Sequence, residues 1–149
     1  LIGMDVDDLD ALVSEFIETH KEKLIDPMTF DLLERHINEF RLVASGSLDF
    51  IVKGFTNYFK LDAYLGSSYE VIDNKITGKL KKAAFAHGKL EKVREWCQKN
   101  SYILEESFFY TDSINDLPLI KVCPRSIIIS PDKKLEQYAL KNNIEVLTR

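Results

Sequence analysis

Apolar residues at Leu9, Leu12, Val13, Phe16 and Ile17, with Leu24 beyond, recur every three or four positions. That spacing predicts an amphipathic helix from Asp5 to Lys23. Asp26-Pro27 reads as a cap with proline at the first helical position, and Phe30, Leu32, Leu33 and Ile37 carry a second helix towards Phe40. The short run Arg41-Leu42-Val43-Ala44 predicts a strand broken by the polar turn Ser45-Gly46-Ser47. Helical spacing then resumes from Leu48 to Tyr58 through Phe50, Ile51, Val52 and Phe55. Leu61 to Gly66 reads as a connector, and Tyr69 to Ile72 and Ile76 to Leu80 read as a hairpin around Asp73-Asn74-Lys75.

Helical spacing returns from Lys89 through Leu90, Val93, Trp96 and Cys97 to Asn100. Ser107 to Thr111 has the apolar character of a buried strand, ending at Asp112-Ser113-Ile114-Asn115-Asp116 and followed by a short helix through Leu117, Leu119 and Ile120. A strand over Arg125 to Ser130, a helix over Pro131 to Lys141 and a last strand over Ile144 to Leu147 complete the pattern. Strands alternating with helices predict an α/β fold, a Rossmann-like parallel sheet with flanking helices, here with a β-hairpin insertion.

Composition narrows the function. At 149 residues and 45% hydrophobic content, one compact domain is expected, burying about two thirds of its unfolded surface. The net charge of -4, with both signs interspersed, lacks the broad basic field that draws nucleic acid or anionic membrane. No apolar run is long enough to cross a bilayer, and Leu1-Ile2-Gly3-Met4-Asp5 lacks the order of a secretory signal. A cytoplasmic location is therefore expected. Cys97 and Cys123 are the only cysteines, too few for a zinc site or disulfide framework, and read as packing residues. His20, His36 and His87 are scattered singly, without a second ligand at metal spacing.

In open α/β sheets, ligands bind outside the carboxyl ends of the strands. Two such ends carry candidate chemistry. At Ser45-Gly46-Ser47, a hydroxyl, a glycine whose backbone can approach an anion and a helix N-terminus make a phosphate seat, although the same letters also suit a strand-to-helix turn with a capping serine. At Asp112 to Asp116, two carboxylates and a carboxamide gather at one strand tip, a set of hard oxygen donors suited to magnesium. Asp112 is the candidate ligand, and Asn115 and Asp116 are placed to hydrogen-bond metal waters, orient Lys89 or close the loop. Helix capping by Asp112, Asn115 or Asp116 is the structural alternative. Lys89, near a helix start after Ala86-His87-Gly88, would sit unfavourably beside the positive end of the helix dipole unless an anion lies near.

The set Val43-Ala44-Ser45-Gly46-Ser47-Leu48-Asp49-Phe50, Gly88-Lys89 and Tyr110-Thr111-Asp112-Ser113-Ile114-Asn115-Asp116-Leu117-Pro118-Leu119 resembles the second, third and fourth motifs of the haloacid dehalogenase superfamily. The likeness is greatest to its phosphoserine-phosphatase-like branch, and Ile129-Ser130-Pro131-Asp132 is similar to that branch's tail. The resemblance implies a magnesium-dependent phosphomonoester hydrolase acting through a phosphoaspartate. Ser45, Gly46, Lys89 and Asn115 would then bind the phosphoryl group, Asp112 would hold magnesium, and Lys89 and Asp116 would belong to the catalytic set.

The sequence departs from the family at its first motif. Asp5-Val6-Asp7 has the letters of the nucleophile pair, but Asp8-Leu9-Asp10 follows where Gly-Thr is expected, and the spacing is helical. The expectation is that residues 1–24 are a remnant of the helical cap and 25–149 the core lacking its first strand. The nucleophile would lie upstream, and this chain alone would be inactive. An unpaired sheet edge left in this way would favour self-association. Ser45-Gly46-Ser47 replaces the Ser-Gly-Gly typical of phosphoserine phosphatases, so serine phosphate is a candidate substrate among small phosphomonoesters. The rival reading is an inactive module of the same fold that binds a phosphorylated metabolite or a partner; a response-regulator-like domain fits the hairpin and the Asp112 motif badly.

Overall fold

Helix α1 (Val6–Leu24) begins where Asp5 caps it, its carboxylate accepting the Asp7 N–H, and α2 (Pro27–Arg35) begins likewise where Asp26 accepts the Met28 N–H. Each short carboxylate satisfies a donor that the first turn leaves without a helical partner. A computed structural model describes residues 1–84 and 87–148 of the chain, which folds as two compact units, Leu1–Phe85 and Ala86–Arg149.

In the first unit, β1 (Leu42–Leu48) leads into α3 (Asp49–Phe59), and β2 (Ala63–Ile72) then runs parallel to β1. The segment expected to be a connector is therefore partly strand. Ala63 to Leu65 pair with Leu42 to Ala44, and the short apolar run ending in Gly66 carries too few positions to show a period by itself. The second half of β2 pairs antiparallel with β3 (Lys75–Lys82) in the order β1-β2-β3. Ile72 opposes Lys75, so the hairpin turn is the pair Asp73-Asn74, with φ of 50° and 62°. Two left-handed residues match the right-handed twist of the flanking strands, a conformation that Asp and Asn tolerate better than most side chains.

The residues before α1 extend this sheet on the outer side of β3. Gly3 N–H donates to Ile76 C=O, Ile76 N–H donates to Met4 C=O, and Asn74 C=O accepts the Val6 N–H. Asn74 Nδ2 also donates to the carboxylates of Asp5 and Asp7. Leu9, Phe50 and Ile76 are buried together, with Met4, Val13, Leu48, Ile51 and Tyr69 against them. Helix α1 lies close on α3 because Gly54 has no side chain; a Cβ there would collide with Val13. Asp10 on α1 and Lys53 on α3 form an ion pair beside this contact.

The second unit opens with α4 (His87–Asn100) and a 3-10 turn at Leu104–Glu106, then β4 (Phe108–Thr111), a second 3-10 turn at Ile114–Asp116, and α5 (Leu117–Ile120). After these come β5 (Arg125–Ile129), α6 (Lys133–Lys141) and β6 (Glu145–Leu147), giving a parallel sheet in the order β4-β5-β6. The last helix starts two residues later than its periodicity suggests, because Asp132 is its cap and takes the Leu135 N–H. Its core is Ile120, Ile128, Leu135 and Ala139, packed by Phe109, Ile114, Tyr138, Ile144 and Val146. Burying a side chain such as Ile128 or Leu135 completely contributes about 2 kcal/mol each. No helix among the described residues is long and apolar enough to cross a membrane.

Candidate active site

The two units each hold part of the predicted set. Ser45 and Gly46 lie in the first, at the carboxyl end of β1; Lys89, Asp112, Asn115 and Asp116 lie in the second.

At the end of β1 the ladder slips. Ala44 faces Leu65 and Leu48 faces Ser67, so Ser45, Gly46 and Ser47 stand opposite the single residue Gly66. The predicted tight turn is thus a bulge within extended chain, and α3 begins at Asp49. Its capping position is Leu48, which offers no side-chain hydrogen bond. The alternative that a serine here simply caps the helix is therefore not realised. Gly66 is required by proximity: a Cβ on it would lie 2.5 Å from the Asp49 Cα and 2.9 Å from its N. Ser45 Oγ accepts the Ser47 N–H at 3.2 Å, leaving its own proton to donate elsewhere. Ser45 is half-buried, whereas Gly46 and Ser47 are exposed. One residue beyond Gly66, Ser67 donates to the Gly46 carbonyl at 2.8 Å. Tyr69, further along β2, is pushed up to about 12 by burial first and then by the Asp49 charge.

In the second unit the chain builds a buried charge network. Lys89, in the first turn of α4, donates to Asp116 Oδ1 at 2.5 Å, with side chains 12% and 8% exposed. The anion that relieves this lysine beside the helix dipole is a carboxylate of the chain itself. Thr111, the last residue of β4, donates to Asp116 Oδ2 at 2.7 Å and accepts the Ser113 N–H at 3.1 Å. Both oxygens of Asp116 are occupied by protein donors. Ser113 in turn caps the following 3-10 turn by accepting the Asn115 N–H. The succession Thr-Asp-Ser thus alternates inward and outward: Thr111 is buried and Asp112 exposed at the tip. Of the segment Ala86-His87-Gly88, Ala86 lies outside the described residues.

Asp112 is the one acid of this motif whose carboxylate is not consumed by a hydrogen bond among the described residues. Within them no three His, Cys, Asp or Glu side chains gather closely enough to hold a metal by themselves. The donors fit an ion that takes one hard oxygen ligand from this segment and completes its shell with water, substrate and a carboxylate from elsewhere, as magnesium does.

Sequence reasoning assigned no role to Thr111, Ser113 or Ser67. Thr111 had a signal, a hydroxyl ending an apolar strand; Ser67, in an unremarkable Ser-Ser pair, had none.

Asp5 and Asp7 serve structure at the head of α1. Asp5 is its cap, and both carboxylates accept from Asn74.

Comparison with known proteins matches residues 1–121 to a family described as haloacid dehalogenase-like hydrolase. The chain is 28% identical over 142 residues to a histidinol-phosphatase of Neisseria meningitidis, covering 91% of this chain and 62% of that protein. Among solved structures, a protein of unknown function from Bordetella pertussis superposes with a TM-score of 0.88 at 23% identity, over 97% of this chain and 67% of the other. A probable phosphoserine phosphatase from Vibrio cholerae superposes with a TM-score of 0.68 at 17% identity, over 93% of this chain and 45% of its own. The chain spans about half to three fifths of the length of the curated relatives it matches.

Proposed function

Because this chain belongs to the haloacid dehalogenase-like hydrolase family, we propose that the protein it forms part of is a magnesium-dependent hydrolase of small phosphomonoesters. The observation that carries the reading is the Lys89-Asp116-Thr111 network, which holds an ammonium group rigidly at a strand end while leaving Asp112 exposed beside it in sequence. The phosphatase relative supports the substrate class.

In the first unit, Ser45 and the Gly46 backbone are the proposed contacts for phosphoryl oxygens; in the second, Lys89 is the proposed charge-neutralising group, Asn115 the proposed phosphate-side support and Asp112 the proposed metal ligand. Asp116 acts by holding the Lys89 ammonium group in place. Asp112 would hold magnesium, which supplies positive charge against which a carboxylate nucleophile can approach an anionic ester. Attack by that carboxylate on phosphorus breaks the ester P–O bond, releases the alcohol and gives an aspartyl phosphate, which water then hydrolyses to inorganic phosphate and the free carboxylate. Asp5 and Asp7 are occupied by the cap of α1 and by Asn74, so the nucleophile in this scheme is supplied from outside residues 1–149.

The test is hydrolysis of an aryl phosphate by the whole protein, with serine phosphate and histidinol phosphate as further substrates. Phosphate release is expected with magnesium, is abolished by chelation, and is absent from residues 1–149 alone. Asp112→Asn is expected to lower kcat at least about a hundredfold with the unfolding transition unchanged. Turnover that survives this substitution removes the metal role from Asp112, and phosphate binding without any turnover favours the inactive-module reading.

A further inference from the structure

We infer that Ser67, on β2, is a positioning residue for the Ser45 hydroxyl, an inference that rests on the phosphate-seat reading of Ser45. Ser67 is only 5% exposed, and its hydroxyl is used in both directions. It donates to the Gly46 carbonyl at 2.8 Å and accepts the Ala84 N–H at 2.9 Å, which matches a hydroxyl's one donor and its acceptor capacity.

Ser45 to Ser47 bulge away from the ladder, so the Gly46 carbonyl takes its partner from a side chain of β2. A buried hydroxyl aimed at that one oxygen fixes the plane of the Gly46-Ser47 peptide, because the six atoms of a peptide unit move together. The same plane carries the Ser47 N–H, trans to the carbonyl, and that N–H donates to Ser45 Oγ at 3.2 Å. The chain of contacts runs from the Ser67 hydroxyl, through one peptide plane, to the Ser45 oxygen. With one acceptor position of that oxygen taken, the Ser45 proton remains available to donate to a phosphoryl oxygen at the exposed side of the bulge. Gly66 makes this geometry available, since its missing side chain lets β2 pass directly beside the start of α3. Ser67 acts on the seat through backbone and touches no substrate.

A cycle on the whole protein tests this, using aryl phosphate hydrolysis with magnesium and inorganic phosphate as a competitive inhibitor. Ser67→Ala is expected to raise both KM and the inhibition constant for phosphate about five- to tenfold, the effect of losing one oriented hydrogen bond. In a Ser45→Ala background the same change is expected to add less than about twofold, since nothing is left to position. Ser67→Thr keeps the hydroxyl and is expected to stay within about twofold of the parent. Should Ser67→Ala not fold, Ser67→Cys, close in size and a much weaker donor, takes its place in the same cycle. Wild-type constants in Ser67→Ala, or an equal rise with and without Ser45, overturn the positioning role while the phosphate seat stands. Unchanged constants in Ser45→Ala remove the seat itself, and the inference with it.

Discussion

Lys89 and Asp116 show why a charge can be worth burying only in company. Each side chain is about nine tenths covered, and removing one partner leaves the other desolvated without compensation. Lys89→Met is therefore expected to destabilise the chain by about 3 kcal/mol or more. Thr111→Val, which removes one hydrogen bond to a carboxylate still paired with Lys89, is expected to cost about 1–2 kcal/mol. Urea unfolding of the two variants at neutral pH checks the order. Equal losses would mean that the ion pair adds nothing beyond an ordinary hydrogen bond. The same network gives Asp116 and Asp112 different tasks despite their similar sequence surroundings: one carboxylate is held by protein donors, and the other faces solvent.

At the scale of the element, the decisive contact is β2 against the start of α3. Gly66 cannot carry a Cβ without moving the Asp49 backbone, which is 2.5 Å from where the Cβ would lie. Backbone cannot rotate aside as a flexible side chain can. Gly66→Ala is expected to destabilise by about 1–3 kcal/mol and, in the whole protein, to weaken phosphate binding through displacement of the Ser45-Gly46-Ser47 bulge. Thermal unfolding and phosphate inhibition measure the two effects separately. Loss of stability with intact phosphate affinity would mean that the bulge does not depend on this approach. The hairpin is the contrasting case, for its turn is chosen locally. Asp73 and Asn74 adopt left-handed backbone, and the alternation on either side places the turn without reference to any distant residue.

At the scale of the molecule, the cysteines report on one unit alone. Both cysteines, Cys97 and Cys123, lie in the second unit and are buried. Burial pushes the Cys97 thiol up and that of Cys123 to about 11, with the Glu105 charge adding to both. Since the thiolate is the reactive form, neither is expected to react with an aromatic disulfide at pH 8 until the second unit opens. Labelling that follows unfolding of this unit bears the expectation out; fast stoichiometric labelling of native protein would show that the unit opens readily around α4. The family assignment is a property at this scale too, resting on a match across residues 1–121 and not on any one motif.

The amphipathic spacing of α1, α3 and α4, the cap Asp26, the hairpin turn and the Asp112-to-Leu119 motif were legible from the sequence, because each is set by neighbours within a few positions of the chain. The parallel half of β2 was not, since a strand of three apolar residues ending in glycine acquires its identity from β1 alongside it. For the same reason Ser45-Gly46-Ser47 reads as a turn and folds as a bulge: register belongs to a pair of strands. Lys89 signalled by itself that it wanted an anion, and orienting it was one of several roles open to Asp116; the fold decides among them by bringing the two together across 27 positions, and only packing turned Ser67 towards the Gly46 carbonyl. Local sequence determined which groups could be donors, acceptors and charges; tertiary structure decided which of them meet, because hydrogen bonds and buried charges act over a few ångströms that chain order does not encode.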